Sequence, residues 1–382
     1  MLLLVLLVGN KLTLIGKIKH PVKRMTKIRQ LLFNVVLVIA SCLMGVVGFE
    51  IGWSYLKPGH LNIYSNKYVL LSGEQGVFKN VESFYLYQPN SEIKNITYFD
   101  TIDGWRKEYE YKFRTNNYGL VQTSDLQTEN PSILLLGDSF TEGSGAEPWF
   151  EKVAPELLKH NVQPINGGIM GTGFAQWRLL HDYLKRNNVK IDKVMVVFIS
   201  DDFRRDIWNF KNQVFQCLSD YRKCEGPEYY YQSPPEGDRI HFLEKMKTFR
   251  QSKTISFSVK ETLRRLFPNT SELIYRFIRA KAAMVLPASF YSGYDPVKFF
   301  TNYYGKNVTF VHIPQKNELG RGPDDIGRLA REVIQNHNGN LYDGFQKCGL
   351  EPSDYYVNDN HPNQEGYRKI AECVLEASTE VF

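Results

Sequence analysis

Residues 31–49 (LLFNVVLVIASCLMGVVGF) form a run of nineteen residues without a charge. As a helix this run rises about 28 Å, close to the hydrocarbon thickness of a bilayer, so it is long enough to cross a membrane once. Seven basic residues precede it with no acid among them: Lys11, Lys17, Lys19, Lys23, Arg24, Lys27 and Arg29. Glu50 opens the other flank. The positive-inside bias therefore puts residues 1–30 in the cytoplasm and everything beyond the anchor, 31–53, outside, with Trp53 and Tyr55 at the outer interface. A buried core helix is the ordinary alternative, and the basic flank argues against it.

A second reading of the same stretch stays open. From Met25, a conventional start that would leave the first 24 residues upstream, the text gives a basic region, an apolar run and Ile39-Ala40-Ser41-Cys42. That box resembles a bacterial lipoprotein signal with Cys42 lipidated, although residues 43–49 stay apolar where a mature lipoprotein turns polar. Ordinary signal cleavage is the third option. In each case the C-terminal body is exported; the retained anchor predicts a single-pass protein of the inner membrane with its body in the periplasm or outside the cell.

The charge balance bears on partners. Removing the seven N-terminal basic residues from the total of 47 leaves 40 against 41 acidic ones, a net charge of −1 for the rest. Phosphate-backbone binding needs clustered Lys and Arg, and here the cluster abuts an apolar run, so no nucleic-acid partner is expected. Outside the apolar run there are four cysteines, Cys217, Cys224, Cys348 and Cys373. In an oxidising compartment they permit two bridges, read here as Cys217 with Cys224 and Cys348 with Cys373, against four separate thiols. Their spacing does not suggest zinc, and no cofactor is implied.

Residues 54–130 are rich in Tyr, Phe, Asn and Gly, with short alternating runs such as 109–113, and predict a small β-rich lead-in. From residue 131 the text changes to strand, loop, helix. Apolar runs at 133–136, 162–165, 194–199 and 309–313 alternate with helical patterns at about 149–160, 173–187, 323–336 and 364–376. That alternation predicts an α/β domain over 131–382 with a parallel sheet covered on both faces. Function in such sheets collects in loops at the carboxyl ends of the strands. An aromatic and basic segment at about 203–300, with Tyr229-Tyr230-Tyr231, Pro234-Pro235 and a helical stretch around 258–283, reads as an insertion. It is either a lid or partner surface, or a structural excursion.

Two loops carry unusual chemistry. LLLGDSFTEG places Ser139 directly after a buried strand and before a Gly-rich turn into a helix, where free backbone N–H groups can stabilise developing charge. Gly-Asp-Ser alone is weak, because Asp and Ser are also common turn and cap residues. Far down the chain, NDNHPNQEGY sets His361 before a helix, fixed by Pro362 and preceded by carboxylates. Such a histidine can take a serine proton and return it to a leaving group. His312, at a strand end, reads as a satisfied structural histidine, and His181 as a helix-surface one.

KFRTNNYGL from Lys112, LLLGDSFTEGSG, INGGIMGTG, VVFISDD and NDNHPNQEGY, in that order over residues 112–382, resemble the blocks of the SGNH/GDSL hydrolase superfamily, especially its exported bacterial members. The resemblance implies a three-layer, flavodoxin-like parallel sheet. It also implies that Ser139 is the nucleophile and His361 the base, and that the N–H groups of Ser139 and Gly171 are oxyanion donors.

Two positions depart from the family pattern. Asp201 stands where the family has an Asn as third oxyanion donor, and an ionised carboxylate only accepts hydrogen bonds. Loss of one donor typically costs about 100 to 1000 fold in rate. The departure means an altered oxyanion hole, a slow enzyme, or a register one residue off. A metal at Asp201, Asp202 and Asp206 is a further reading, but Arg204 and Arg205 between them favour internal charge pairing. The family's commonest orienting Asp would fall at Asn358, so Asp359 is assigned that role, with Asp354 as fallback.

These residues predict an anchored, outward-facing serine esterase acting on short acyl esters, with O-acetyl groups of cell-surface polysaccharide favoured by analogy. Two alternatives remain: an O-acyltransferase working beside a membrane acyltransferase or polysaccharide-export partner, and a non-catalytic polysaccharide-binding or assembly protein that keeps the fold.

Overall fold

The computed structural model describes residues 23–56, 66–207, 219–223, 236–253 and 286–382, less positions 75, 102 and 381, with isolated positions between 262 and 274. Cys217, Cys224, Tyr229-Tyr230-Tyr231, the Pro234-Pro235 pair and most of 258–283 lie outside the described residues. The chain divides into two compact units, residues 1–59 and 60–382.

In the first unit, α1 (Lys23–Leu56) holds a candidate span, Arg29–Trp53, that contains an 18-residue stretch of mean hydropathy 2.5. By length and composition this is a membrane span or a signal sequence. Leu32, Phe33, Val36 and Met44 are exposed along it, an arrangement that suits hydrocarbon rather than water.

The second unit begins with antiparallel strands. β1 (Asn66–Ser72), β4 (Glu92–Thr101) and β5 (Gly104–Arg114) pair in the order β1-β4-β5, and β2 (Phe78–Val81) and β3 (Phe84–Tyr87) form a hairpin. The alternating side chains of this sheet serve two interfaces. Tyr109, Tyr111 and Phe113 join the main core, while Tyr68, Leu70, Ile96 and Tyr98 pack with Leu243 and Met246.

Further along come β6 (Ser132–Gly137), α2 (Ser139–Glu142), α3 (Phe150–Leu158), β7 (Gln163–Gly168), α4 (Phe174–Arg186), β8 (Ile191–Phe198), α5 (Arg239–Lys253), α6 (Tyr294–Tyr304), β9 (Val308–His312), α7 (Asp325–Asn336), β10 (Asn340–Asp343), α8 (Gly344–Lys347) and α9 (Gln364–Ser378). Leu243 and Met246 belong to α5, so this helix of the 203–300 segment packs on the lead-in sheet.

The parallel sheet runs β10-β9-β8-β6-β7. Counted from β6 this is the order 2-1-3-4-5 of flavodoxin-like folds, in which the chain reverses direction across the sheet between its first and third strands. β6 shows why both faces are covered: all six residues are buried. Leu134 and Leu136 enter one core with Phe174, Trp177, Phe300 and Ala330, whereas Ile133 and Leu135 enter the other with Trp149, Val153, Ile370 and Val374. Helices α4, α6 and α7 therefore form one outer layer, and α3 and α9 the other.

The four apolar runs read as strands are strands. β10 escapes that reading because its sequence, NLYD, is short and half polar, as an edge strand can be. α6 begins at Tyr294, inside the segment read as an insertion, and contributes Val297 and Phe300 to the core. His181 is a correction: it is buried, not on the surface, because its face of α4 meets α6, where it bonds the Tyr304 hydroxyl at 2.8 Å and Asp182 at 2.9 Å.

Cys348 and Cys373 are joined by a disulfide across 25 residues, and the segment it closes carries Asp359 and His361. Closing a loop of that size stabilises the fold by about 3 kcal/mol. The double substitution Cys348→Ser, Cys373→Ser is expected to lower the unfolding free energy by that amount in denaturant titration. An unchanged midpoint would contradict the account.

Candidate active site

The direction reversal in the sheet opens a crevice at the carboxyl ends of β6 and β8, where open α/β sheets hold their ligands. Ser139 follows β6 by two residues. The Asp138 carboxylate caps α2 by accepting the Phe140 N–H at 2.8 Å, and Ser139 is 7% exposed. The end of β7 and the loop after it fold against α2 so closely that a Cβ on Gly168, the last residue of the strand, would stand 2.3 Å from the Glu142 nitrogen. Gly171 in the same loop has φ +72°, a conformation side-chain-bearing residues rarely adopt. Among the described residues, no protein group takes the N–H of Ser139 or of Gly171.

The segment between β10 and α9 delivers the other two residues. Asn363 caps α9 by accepting the N–H groups of Glu365 and Gly366, and the Tyr356 N–H bonds the His361 carbonyl at 3.1 Å. His361 Nε2 lies 2.8 Å from Ser139 Oγ, and Nδ1 lies 2.8 Å from Asp359 Oδ1. A carboxylate only accepts, so Nδ1 carries the ring proton and Nε2 accepts the Ser139 hydroxyl.

The neighbouring acids are otherwise engaged. Asn358 is clasped by Glu108 of β5, which accepts its N–H at 2.8 Å and its side-chain amide at 2.7 Å. Asp354, the fallback, pairs with Lys369 and accepts the Glu351 N–H. Asp359 is left as the carboxylate that meets the ring.

Asp359 has two further donors, both from the lead-in: Lys67 Nζ of β1 at 2.6 Å and the Tyr109 hydroxyl of β5 at 2.7 Å. Burial pushes its carboxyl up, but His361 and Lys67 outweigh burial and hold it well below the usual carboxylate range.

Arg205 ties the loops after three strands. Its Nη1 donates to Asp138 at 2.7 Å, to the Thr172 carbonyl at 3.0 Å and to Asp202 at 2.6 Å. Asp202 is fully buried and also accepts the Ile199 N–H. Asp201 is the less buried neighbour and pairs with Arg204 at 3.4 Å, so it presents an acceptor and not a donor.

Glu142 is the buried acid that sequence reading passed over. It accepts the Tyr87 hydroxyl and the Met170 N–H, each at 2.7 Å, and the Ser144 hydroxyl at 2.9 Å. The Met170 carbonyl accepts the Tyr85 hydroxyl at 2.7 Å, so Met170, the residue before Gly171, is held at both its N–H and its C=O. Lys67, Tyr85, Tyr87 and Tyr109 lie in no motif, and only the alternation of 109–113 hinted that tyrosines face inward; Glu142 lies within LLLGDSFTEG, where nothing in the sequence marks its burial.

A second serine and histidine meet behind the site. Arg331 Nε donates to His312 Nδ1 at 2.8 Å, so Nε2 carries the proton and donates to Ser200 Oγ at 3.1 Å; Ser200 in turn donates to Glu318. The serine proton points to the carboxylate and away from the imidazole, which makes this a buried structural relay. Burial, then Arg331, pushes His312 well below its ordinary value. Among the described residues, no group of three or more His, Cys, Asp or Glu is placed to hold a metal.

Fold and site together define a class: a doubly wound α/β protein with a Ser–His–Asp chain of hydrogen bonds at the carboxyl edge of its sheet. Its neighbours among solved structures are SGNH/GDSL-type hydrolases. They include a variant of an acetyl xylan esterase from Geobacillus stearothermophilus (12% identity, TM-score 0.32, covering 67% of this chain and 96% of that one). A member of the lipolytic protein G-D-S-L family from Veillonella parvula shows 14% identity and TM-score 0.33, covering 65% and 98%. A psychrotrophic esterase from Pseudoalteromonas sp. shows 14% and 0.33, covering 66% and 98%. No family model and no curated protein matches the sequence.

Burial, partly offset by its three hydrogen bonds, pushes Glu142 from 4.5 to about 7. A carboxyl raised on folding favours the folded state below its unfolded value and loses that contribution as pH rises through its folded value. Denaturation of the detergent-solubilised protein is expected to show a stability decline of about 3 kcal/mol between pH 4.5 and 7 from this group. Glu142→Gln should remove that decline; an identical pH slope in the variant would contradict the assignment.

Proposed function

We propose that the protein is a membrane-anchored serine esterase of SGNH type, working on short acyl esters outside the cytoplasm. One observation carries the reading: Ser139 Oγ, both nitrogens of His361 and Asp359 Oδ1 form one hydrogen-bonded line with 2.8 Å at each junction. In this reading His361 takes the Ser139 proton as Oγ attacks the ester carbonyl, and Asp359 orients the ring and stabilises the imidazolium. The N–H groups of Ser139 and Gly171 receive the oxyanion. The proton passes to the leaving alkoxide, and water then hydrolyses the acyl-enzyme by the same steps with the roles repeated. Asp201 supplies no donor while ionised, so the hole works with two N–H groups and the enzyme is slow for its class.

The small exposed area of Ser139 suits compact acyl groups. An anchor helix with a cationic cytoplasmic flank places the domain beside the envelope, which favours O-acetyl groups of cell-surface polysaccharide as substrate.

Hydrolysis of p-nitrophenyl acetate by the full-length protein in detergent tests the proposal. Ser139→Ala is expected to lower kcat/KM by about a thousand-fold or more, and Asp359→Asn by a factor of about a hundred or more. Equal rates for Ser139→Ala and the unaltered protein would remove the esterase reading. Diversion of the acetyl group to an added oligosaccharide at the expense of hydrolysis would convert it to a transferase.

A further inference from the structure

We propose that Lys67 is a positioning residue whose charge sets how far into acid His361 remains an available base, an inference that rests on the esterase reading. Lys67 is the second residue of β1, remote in sequence from the Ser139 and His361 motifs. Its Nζ lies 2.6 Å from Asp359 Oδ2 and 3.5 Å from His361 Nδ1. The Nδ1 proton is committed to Asp359 Oδ1, so ammonium and ring N–H are both donors and cannot bond each other. What faces the ring there is a positive charge.

In a three-member arrangement, the carboxylate's negative charge stabilises the imidazolium that forms when serine gives up its proton. Here the same carboxylate is divided: Oδ1 serves the ring, while Oδ2 serves Lys67 and the Tyr109 hydroxyl. The Lys67 ammonium, 3.5 Å from Nδ1 against 2.8 Å for Asp359 Oδ1, partly offsets the carboxylate's charge at the ring. A like charge at such range disfavours a second cation, so protonation of the imidazole in the resting enzyme is opposed. The imidazolium formed during attack is then readier to pass its proton to the leaving group.

The other groups around the pair leave this role to Lys67. Tyr109 of β5, Tyr356 and Tyr367 of α9 are neutral phenols, each raised by burial. Glu108 is engaged with Asn358, and Lys316 donates to the carbonyls of Tyr356 and Val357. Asp138, 3.4 Å from Ser139 Oγ, is matched by Arg205. Lys67 is one-third exposed at its side chain, so solvent screens part of its effect.

The test compares full-length Lys67→Met and Lys67→Arg with the unaltered protein in detergent. Two readouts are taken: the acid limb of kcat/KM for p-nitrophenyl acetate, and NMR titration of the His361 ring, which needs no turnover. In Lys67→Met both are expected to move up by about one pH unit, while Lys67→Arg, which keeps the charge, stays within a few tenths. Lys67→Gln replaces Lys67→Met if the latter does not yield folded protein. An acid limb and ring titration unmoved by neutralising Lys67, with only the height of the profile changed, would mean a structural role and overturn the proposal. A shift in Lys67→Arg equal to that in the neutral variant would overturn it too. If the unaltered protein does not hydrolyse the ester, the esterase reading fails, and the ring titration alone still decides the role of Lys67.

Discussion

Asp359 joins two parts of the chain that are far apart in sequence. From one side it receives the ring proton of His361, held in the segment between β10 and α9; from the other it receives Lys67 and Tyr109 of the antiparallel lead-in. A carboxylate this deeply buried stays charged only if opposite charge and donors surround it. The lead-in supplies one cation and one hydroxyl, and so is part of the site rather than an appendage to the sheet. Its strand β5 does this twice, because Glu108 fixes Asn358 while Tyr109 fixes the next residue along.

The Ser139 side is held by a comparable division of labour. Arg205 draws the loops after β6, β7 and β8 toward one guanidinium shared by two buried carboxyls, and burial together with Asp138 pushes Asp202 well above the usual carboxylate range. Glu142 and Tyr85 fix Met170 at its N–H and its C=O, in the two successive peptide groups before Gly171. Buried charge clusters of this kind add little net stability over apolar packing. Their contribution is positional, since each loop has one arrangement that satisfies all of its polar groups.

Much of the fold can be read from the sequence because parallel strands buried on both faces must be apolar runs, and the helices between them must be amphipathic. β6 and α7 show both rules, with Ile326, Ala330, Val333 and Ile334 on one face of α7. The rule fails for β10, whose edge position does not require apolar residues, and for His181, where a polar side chain is buried by finding partners on α6. The candidate residues at 139, 359 and 361 stand out because they lie in short motifs at loop positions. Lys67 and Tyr109 do not, because their roles depend on the register of strands and on how the lead-in docks, and neither is written in any local pattern; Glu142 shares the Ser139 motif, but its burial against Tyr87 depends on that same docking. Asp201 was picked out by its motif position; its carboxylate pairs with Arg204.

The central claim is that Ser139 is made nucleophilic by His361. A fluorophosphonate offered to the folded protein, with the adduct located by peptide mass spectrometry, reads this without any assumption about substrate. The account predicts one adduct, on the peptide holding Ser139, and its loss when His361 is replaced by alanine. Folded protein that takes no label, or labelling of Ser139 that persists undiminished without the imidazole, would contradict it.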